Sequence, residues 1–495
     1  MCRLGGNSVG VKLPDHKTKI VCTIGPASRS ETVLEELMRW GMNVARLNFA
    51  HGTIEGHRED IRRIRLAAAK LERSCMILAD LPGSKIRIGK LTSDPLLLKK
   101  GNRVTLTTKD VPGTAERISV NYERLPESVS RGSVIFLNDG FIQLEVEESA
   151  ADEVVCRVVI GGPLLSHKGL NLPGAKIFID TVTDRDLHFV DFALKEGVDA
   201  FGVSFVEKAD DILKVRNFAR ERGRAVHVIA KIERAEAVRN IDEILDAADA
   251  LMIARGDLGV QIPVEDVPAV QKRLIRKANL LGRPVITATQ MLLSMTENIR
   301  PTRAEASDVA NAILDGTDAV MLSEETAIGR YPAEAVDMMA RIAVSIEREV
   351  QSPDLREYYR ARLGHQQSSI EDVISFNVDE AVRALDIRCI VTPTQNGSTP
   401  RRISRFKPDC WTLAFSRSEK THRFLDLSYG VFPVLTGNDD DYSPEGIMKF
   451  IGESGLVSED DKIIVIEYIS PDSVDSTDSL RIIRFSLVQG GERAE

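Results

Sequence analysis

The chain lacks the marks of an extracellular, membrane-spanning or nucleic-acid-binding protein. Its six cysteines (Cys2, Cys22, Cys75, Cys156, Cys389 and Cys410) form no CxxC pair, and four of them lie in or beside apolar strand-like runs. That usage speaks against a disulfide framework and for reduced, buried thiols in a cytoplasmic protein. The eight histidines are scattered and show no zinc-ligand spacing. No apolar run approaches the ~18 residues of a membrane span. The opening "MCRLGGNSVG" has no apolar stretch of the kind a signal peptide needs. Basic excess is also missing: the net charge of −9 argues against a nucleic-acid or membrane surface. It leaves room for a local arginine and lysine cluster that holds a small anion.

What the sequence does contain is enough apolar material, 43% of 495 residues, for more than one core. Eight short apolar runs punctuate the first 350 residues: 19–25, 44–49, 76–81, 200–206, 227–232, 250–255, 284–290 and 318–325. Amphipathic segments separate them. In 31–40, Val33, Leu34, Leu37 and Met38 form one stripe, with the Ser28…Glu31 spacing of a capping box ahead of it; another segment, 332–350, is opened by Pro332. Eight strand–helix units predict an α/β fold of the (β/α)8 TIM barrel type, and an open doubly wound sheet is the alternative.

The alternation breaks over 83–182, where "KGN", "NDG", "GGP" and "NLPG" separate β-rich runs. This predicts an inserted all-β domain, placed at the rim where it would act as a lid. The expected organisation is a discontinuous barrel (1–82 and 183–350), the insert (83–182) and a C-terminal α/β domain (351–495). Strands in the last are expected near 388–394, 411–416, 431–435, 462–469 and 481–488.

The chemistry concentrates where the runs end. In "VIAKIERAEAV" (228–238), Lys231 and Glu233 are two apart on a strand and so share a face. A lone buried ion pair costs more in desolvation than it returns. The pair therefore reads either as a bridge between strands or as two arms of an anion and metal site. "ARGDLG" (254–259) adds Asp257 at the next strand end, with Gly256 permitting close backbone approach. Glu233 and Asp257 are the two carboxylates a hard cation such as Mg2+ (or Mn2+) would take.

Together "KTKIVCTIGPAS", "ARLNFAHG", "VIAKIERAEAV", "LMIARGDLGVQIP", "PVITATQMLLSM" and "DGTDAVMLSEETAIGRYP" resemble the pyruvate kinase family. The resemblance runs from about Lys17 to Val350 and continues more weakly beyond. It implies phosphoryl transfer from phosphoenolpyruvate to ADP, giving pyruvate and ATP, with a divalent metal and a homotetrameric assembly. It further implies that Arg46 and Lys231 contact the transferring phosphoryl, and that Gly256 and Asp257 lie at the substrate carboxylate and metal. Asn48, His51, Arg87, Lys208 and Pro26 would lie toward the nucleotide; for His51 and Lys208 a plain surface role is equally open. Thr289 would stand near the carbon that is protonated, with Ser323 and Glu325 behind it, although Thr289 alone reads as a β-branched strand residue.

The resemblance also locates a monovalent-cation region at Asn48, Asp80 and Leu81. The hydroxyl ligand is absent there because position 50 is alanine, and Lys85 stands where the potassium-dependent type has glutamate. An ammonium in that place predicts that K+ is not required; the alternative is a Lys85 that swings into solvent. In "CIVTPTQNGSTPRRISRFKP", Thr394, Asn396, Gly397, Ser398, Thr399 and Arg401 are the expected site of a phosphorylated effector, with Thr399 as helix N-cap. An ordinary capped turn is the alternative. Two further classes stand as alternatives to an active kinase: a catalytically silent metabolite-sensing barrel, and a metal-dependent aldolase acting on keto acids.

Overall fold

The computed structural model describes residues 11–350, 353–364, 368–437, 439–467 and 479–486. Cys2, the opening segment and the ends of the strands expected at 462–469 and 481–488 lie outside them. All eight expected runs form strands: Lys19–Thr23, Met42–Asn48, Met76–Asp80, Ala200–Val203, His227–Ile232, Ala250–Ala254, Val285–Ala288 and Ala319–Leu322. Each pairs in parallel with its neighbour, and the first closes against the eighth. Closure decides for the barrel over the open sheet.

Period-two alternation divides each strand. Outward side chains such as Ile20, Ala45, Ile77 and Ala230 pack under the surrounding helices. Inward ones build a second core of Val21, Val44, Met76, Leu78, Ile229, Met252, Ile286 and Met321. One or two steps further along that same inward face stand Thr23, Arg46, Asp80, Lys231 and Glu233, so the apolar core becomes a polar floor at the carboxyl ends of the strands.

The helix at Glu31–Trp40 forms as its stripe requires, but its cap differs. Ser30, not Ser28, accepts the hydrogen bond from Val33 N. Ser28 is occupied in the preceding turn, where its Oγ accepts from Gly25 N at 3.2 Å. Pro332 opens the helix Pro332–Ile346.

Residues 83–182 contain a six-stranded sheet, a two-stranded ribbon and one short helix, Leu125–Ser128. They bury their own core around Val104, Leu106, Ile135, Leu144 and Val154. The C-terminal residues form a five-stranded sheet in the order Val431–Leu435, Trp411–Ser416, Ile387–Pro393, Lys462–Glu467 and Ser479–Arg484, the last antiparallel.

The C-terminal sheet and its helices sit under the amino ends of the barrel strands. Phe424 and Leu427 belong to the barrel's inner core, and Phe424 stacks on His227 with ring centroids 3.7 Å apart. Around this plug, Lys407 Nζ meets Asp318 Oδ1 at 2.8 Å, Lys19 Nζ donates to the Val431 carbonyl at 2.7 Å, and the Ser74 hydroxyl donates to Asp426. Burial pushes the Asp426 carboxyl up to about 7.

Two outcomes follow from this seam. Phe424→Ala should cost about 3–5 kcal/mol, read by denaturant unfolding, because the void lies in the barrel core; a loss under 1 kcal/mol would show that the plug does not support the barrel. The folded chain holds a proton on Asp426 that the unfolded chain, with an ordinary value near 3.8, releases. Stability from that group is therefore full at low pH and is lost as pH rises from about 4 to about 7. The fall in melting temperature across that window should be shallower in Asp426→Asn.

Candidate active site

Three strand ends supply a knot of charge. Asp80 closes the third strand, and its carboxylate receives Arg46 Nε from the second strand at 2.6 Å on Oδ2. Lys231 Nζ, from the fifth strand, lies 3.0 Å from Asp80 Oδ1, 3.0 Å from Glu233 Oε1 and 2.6 Å from Ser204 Oγ. These account for all three ammonium donors. Arg46 also donates to Thr23 Oγ1 at 2.8 Å, and Glu233 Oε2 accepts from Phe205 N at 2.6 Å.

Asp80, Glu233 and Lys231 are only 1%, 2% and 7% exposed. Burial alone would neutralise Asp80, but the charges of Lys231 and Arg46 outweigh it and hold the carboxyl below its ordinary value. Burial likewise works against the Lys231 ammonium; Asp80 and Glu233 overcome it and raise the group. Glu233 behaves differently. Burial pushes it up, Lys231 opposes, and the nearby charge of Asp257 pushes it up again. A buried carboxylate raised by the charge of a second one marks a donor set short of a cation, and oxygen ligands suit a hard one. Among the described residues no group of three or more acidic, histidine or cysteine side chains could hold a metal alone. Glu233 and Asp257 fit an ion that keeps ligands from substrate or water.

Asp257 lies in the helix Arg255–Gln261, which starts directly after the sixth strand. The Gly256 amide is not open to an anion: it donates to Thr289 Oγ1 at 2.8 Å, and that hydroxyl donates to the Ala288 carbonyl at 2.7 Å. Thr289 is not in a strand. It and Gln290 have φ of 71° and 53°, a strained choice for a β-branched residue. Arg255 secures this corner by a fork onto Asp308 (2.7 and 2.6 Å) and a bond to the Thr289 carbonyl at 2.9 Å. Glu325 is fully buried and accepts from Leu292 N at 3.0 Å and Ser323 N at 2.7 Å. It ties the loops after the seventh and eighth strands together, so its position is that of a support.

Other expected residues are placed less centrally. Pro26, His51 and Lys208 are exposed, and Lys208 pairs at 3.6 Å with its neighbour Asp210. Arg87 donates to the His167 carbonyl within the insert at 3.0 Å. Asn48 Oδ1 accepts from Ala50 N at 3.1 Å, and the Leu81 carbonyl accepts from Ser204 Oγ at 2.7 Å. The expected neighbour of these, Lys85, is elsewhere: its Nζ reaches Asp257 Oδ1 at 2.8 Å. Asp80, expected as a ligand for a monovalent ion, is instead taken by Arg46 and Lys231. In the C-terminal domain the cap of the helix Ser398–Ser404 is Gly397, with φ of 78°, and not Thr399. Thr394 Oγ1 accepts from Gly397 N, Asn396 Oδ1 accepts from Ser398 N, and Arg401 lies over the Phe424 ring.

Sequence reasoning passed over Thr23, Ser204 and Arg255. Each is a polar residue at a strand end beside a named motif, which is the signal that would have found it.

A closed parallel barrel with an acid–base knot at the carboxyl ends of its strands, beneath an inserted β domain, defines a class of barrel enzyme. Residues 15–336 match the family model "Pyruvate kinase, barrel domain", and residues 372–483 match "Pyruvate kinase, alpha/beta domain". A pyruvate kinase from Thermococcus litoralis is 49% identical, with 96% of this chain and all of that protein covered. One from Geobacillus stearothermophilus is 45% identical over 94% of this chain and 80% of that protein. A crystal structure of a pyruvate kinase from Cryptosporidium parvum superposes with a TM-score of 0.87 at 36% identity, covering 95% of this chain and 96% of that one. The chain belongs to the pyruvate kinase family.

Lys231→Met should lower kcat at least a thousandfold while leaving the KM for nucleotide within about threefold, since it removes a donor at the point of charge transfer. The same variant leaves Asp80 and Glu233 facing each other without their cation, for which a stability loss of about 3–5 kcal/mol is expected on chemical unfolding.

Proposed function

We propose that the chain transfers the phosphoryl group of phosphoenolpyruvate to ADP, giving pyruvate and ATP, at the mouth of its barrel. The observation that carries this reading is the Arg46–Asp80–Lys231–Glu233 knot with Asp257 beside it. Phosphoryl transfer asks little covalent chemistry of a protein and much charge placement. Arg46 and Lys231 supply two cations, and Asp80 orients both and keeps Lys231 charged before substrate arrives. Lys231 already spends its three donors on protein oxygens, so an incoming phosphoryl oxygen replaces one of them and meets an ammonium already in position. Glu233 and Asp257 would hold a Mg2+ or Mn2+ ion, which when bound neutralises phosphate charge. Thr289, held rigid by the Gly256 amide and its own strain, offers a hydroxyl near the enolate carbon for the proton that completes pyruvate.

The three-part division at 82/83, 182/183 and 350/351 is proposed as functional, with the insert as a lid bringing Arg87 over the nucleotide, alongside Asn48, His51, Lys208 and Pro26. A phosphorylated effector at 394–399, a homotetramer and cytoplasmic residence complete the proposal. The effector reading rests on the polar Thr394, Asn396 and Ser398 gathered at the start of the helix Ser398–Ser404, with Asn396 exposed and Gly397 buried against Leu425. Titrating sugar phosphates and nucleotides against phosphoenolpyruvate saturation decides that point: no shift with any of them removes the effector.

Potassium independence is supported by occupied oxygens. Asn48 Oδ1 and the Leu81 carbonyl already accept hydrogen bonds, Ala50 has no hydroxyl, and Lys85 brings a positive charge to the barrel mouth through Asp257.

Two assays test the reading. Purified chain with phosphoenolpyruvate, ADP and Mg2+ should form pyruvate in a coupled assay, and silence without any one of the three is required. In Tris-only buffer the rate should rise less than twofold on adding potassium; a tenfold rise would refute the claim.

A further inference from the structure

The charge of Lys85 enters the potassium argument, but its choice of partner does not. Lys85 lies in the outgoing connection to the insert, yet its ammonium reaches across to Asp257 Oδ1 at 2.8 Å. The path is built for it. A Cβ added at Gly169, directly before the insert strand Leu170–Asn171, would come within 2.9 Å of Lys85 Cε. Gly169 also bridges to the backbone of Arg87. One lysine stem thus runs from the outgoing connection past the insert backbone at Gly169 and ends on a carboxylate assigned to the metal.

An ammonium and a divalent cation on the same carboxylate repel one another at short range. The ion pair is about a quarter exposed on each side, 23% for Lys85 and 27% for Asp257, and pairs so exposed are weak enough to exchange. We infer that Lys85 is a placeholder cation: it holds Asp257 in the metal-free chain, is displaced by the incoming divalent ion, and thereby sets the metal affinity of the substrate-free enzyme. This rests on the reading of Glu233 and Asp257 as metal carboxylates. It adds that metal entry loosens the strap between the insert and the sixth strand.

The experiment is a direct titration of Mn2+ into the substrate-free full chain, with free Mn2+ read by electron paramagnetic resonance. Lys85→Met keeps the stem and removes the charge. Gly169→Ala keeps the charge and crowds the stem away, at small cost because the clash is with the far end of a flexible side chain. Both should bind Mn2+ about two- to fivefold more tightly than the wild type, the range an exposed ion pair is worth. Unchanged or weaker binding by Lys85→Met overturns the proposal. Tighter binding by Lys85→Met with none by Gly169→Ala also overturns it, since a general charge effect then suffices. If Lys85→Met fails to fold, Gly169→Ala alone decides. Failure of the underlying reading looks different: Asp257→Asn would then bind Mn2+ as tightly as the wild type.

Discussion

The barrel's mouth depends on one buried carboxylate. Asp80 stands between Arg46 and Lys231, and without it two cations would share a nearly water-free cavity. Repulsion and desolvation would then act together, and the Lys231 ammonium would lose its proton far more readily. With Asp80 in place, Lys231 keeps its charge and both side chains stay put. The electrostatic work of assembling positive charge for a phosphate is done during folding, and substrate binding inherits it. The cost is a mouth that cannot tolerate loss of any member, since each removal leaves an unpaired buried charge.

The backbone shows the same priority. Phe205 and Thr289 both adopt positive φ at strand ends, where the chain must turn within a residue or two to aim polar groups inward. Phe205 is held there by the bond from its amide to Glu233, and Thr289 by Gly256 and Arg255. Strain of this kind persists only where surrounding contacts over-determine it. Here the contacts that fix the strain also fix the reacting groups, so rigidity and function share the same bonds.

Much of this was legible in the order of residues, because a strand's period of two is a strong constraint. Lys231 and Glu233 read as one face from their spacing alone, and both point into the barrel mouth on the inward face that Ile229 begins. The eight-fold count and the β-rich insert followed from the same periodicity and from turn residues. What the residues did not reveal was partner choice. Asp80 and Lys85 are both charged groups near the mouth, but whether an aspartate meets an arginine or an ion, and whether a lysine stands beside Asn48 and Leu81 or reaches Asp257, depends on three-dimensional reach across the barrel mouth. The caps failed for a related reason: Ser28 and Thr399 have the right chemistry, but neighbouring turns had already claimed the geometry, and Gly397 could take a left-handed φ at no steric cost.

The two ends of the barrel divide the labour, and the division has a mechanical consequence. The upper end carries charge held in place by hydrogen bonds; the lower end is sealed by Phe424 and Leu427 of the C-terminal domain. The helix Glu419–Leu425 that delivers Phe424 also carries Thr421, which donates to the Gln395 carbonyl at 2.6 Å, and Leu425, against which Gly397 packs. The 394–398 loop and the barrel core therefore both pack against one short helix. Close-packed interiors transmit displacement instead of absorbing it. A shift of that loop moves the helix, and a shift of the helix must either open a cavity around Phe424 or move the inner ends of the strands whose other ends hold Arg46 and Lys231.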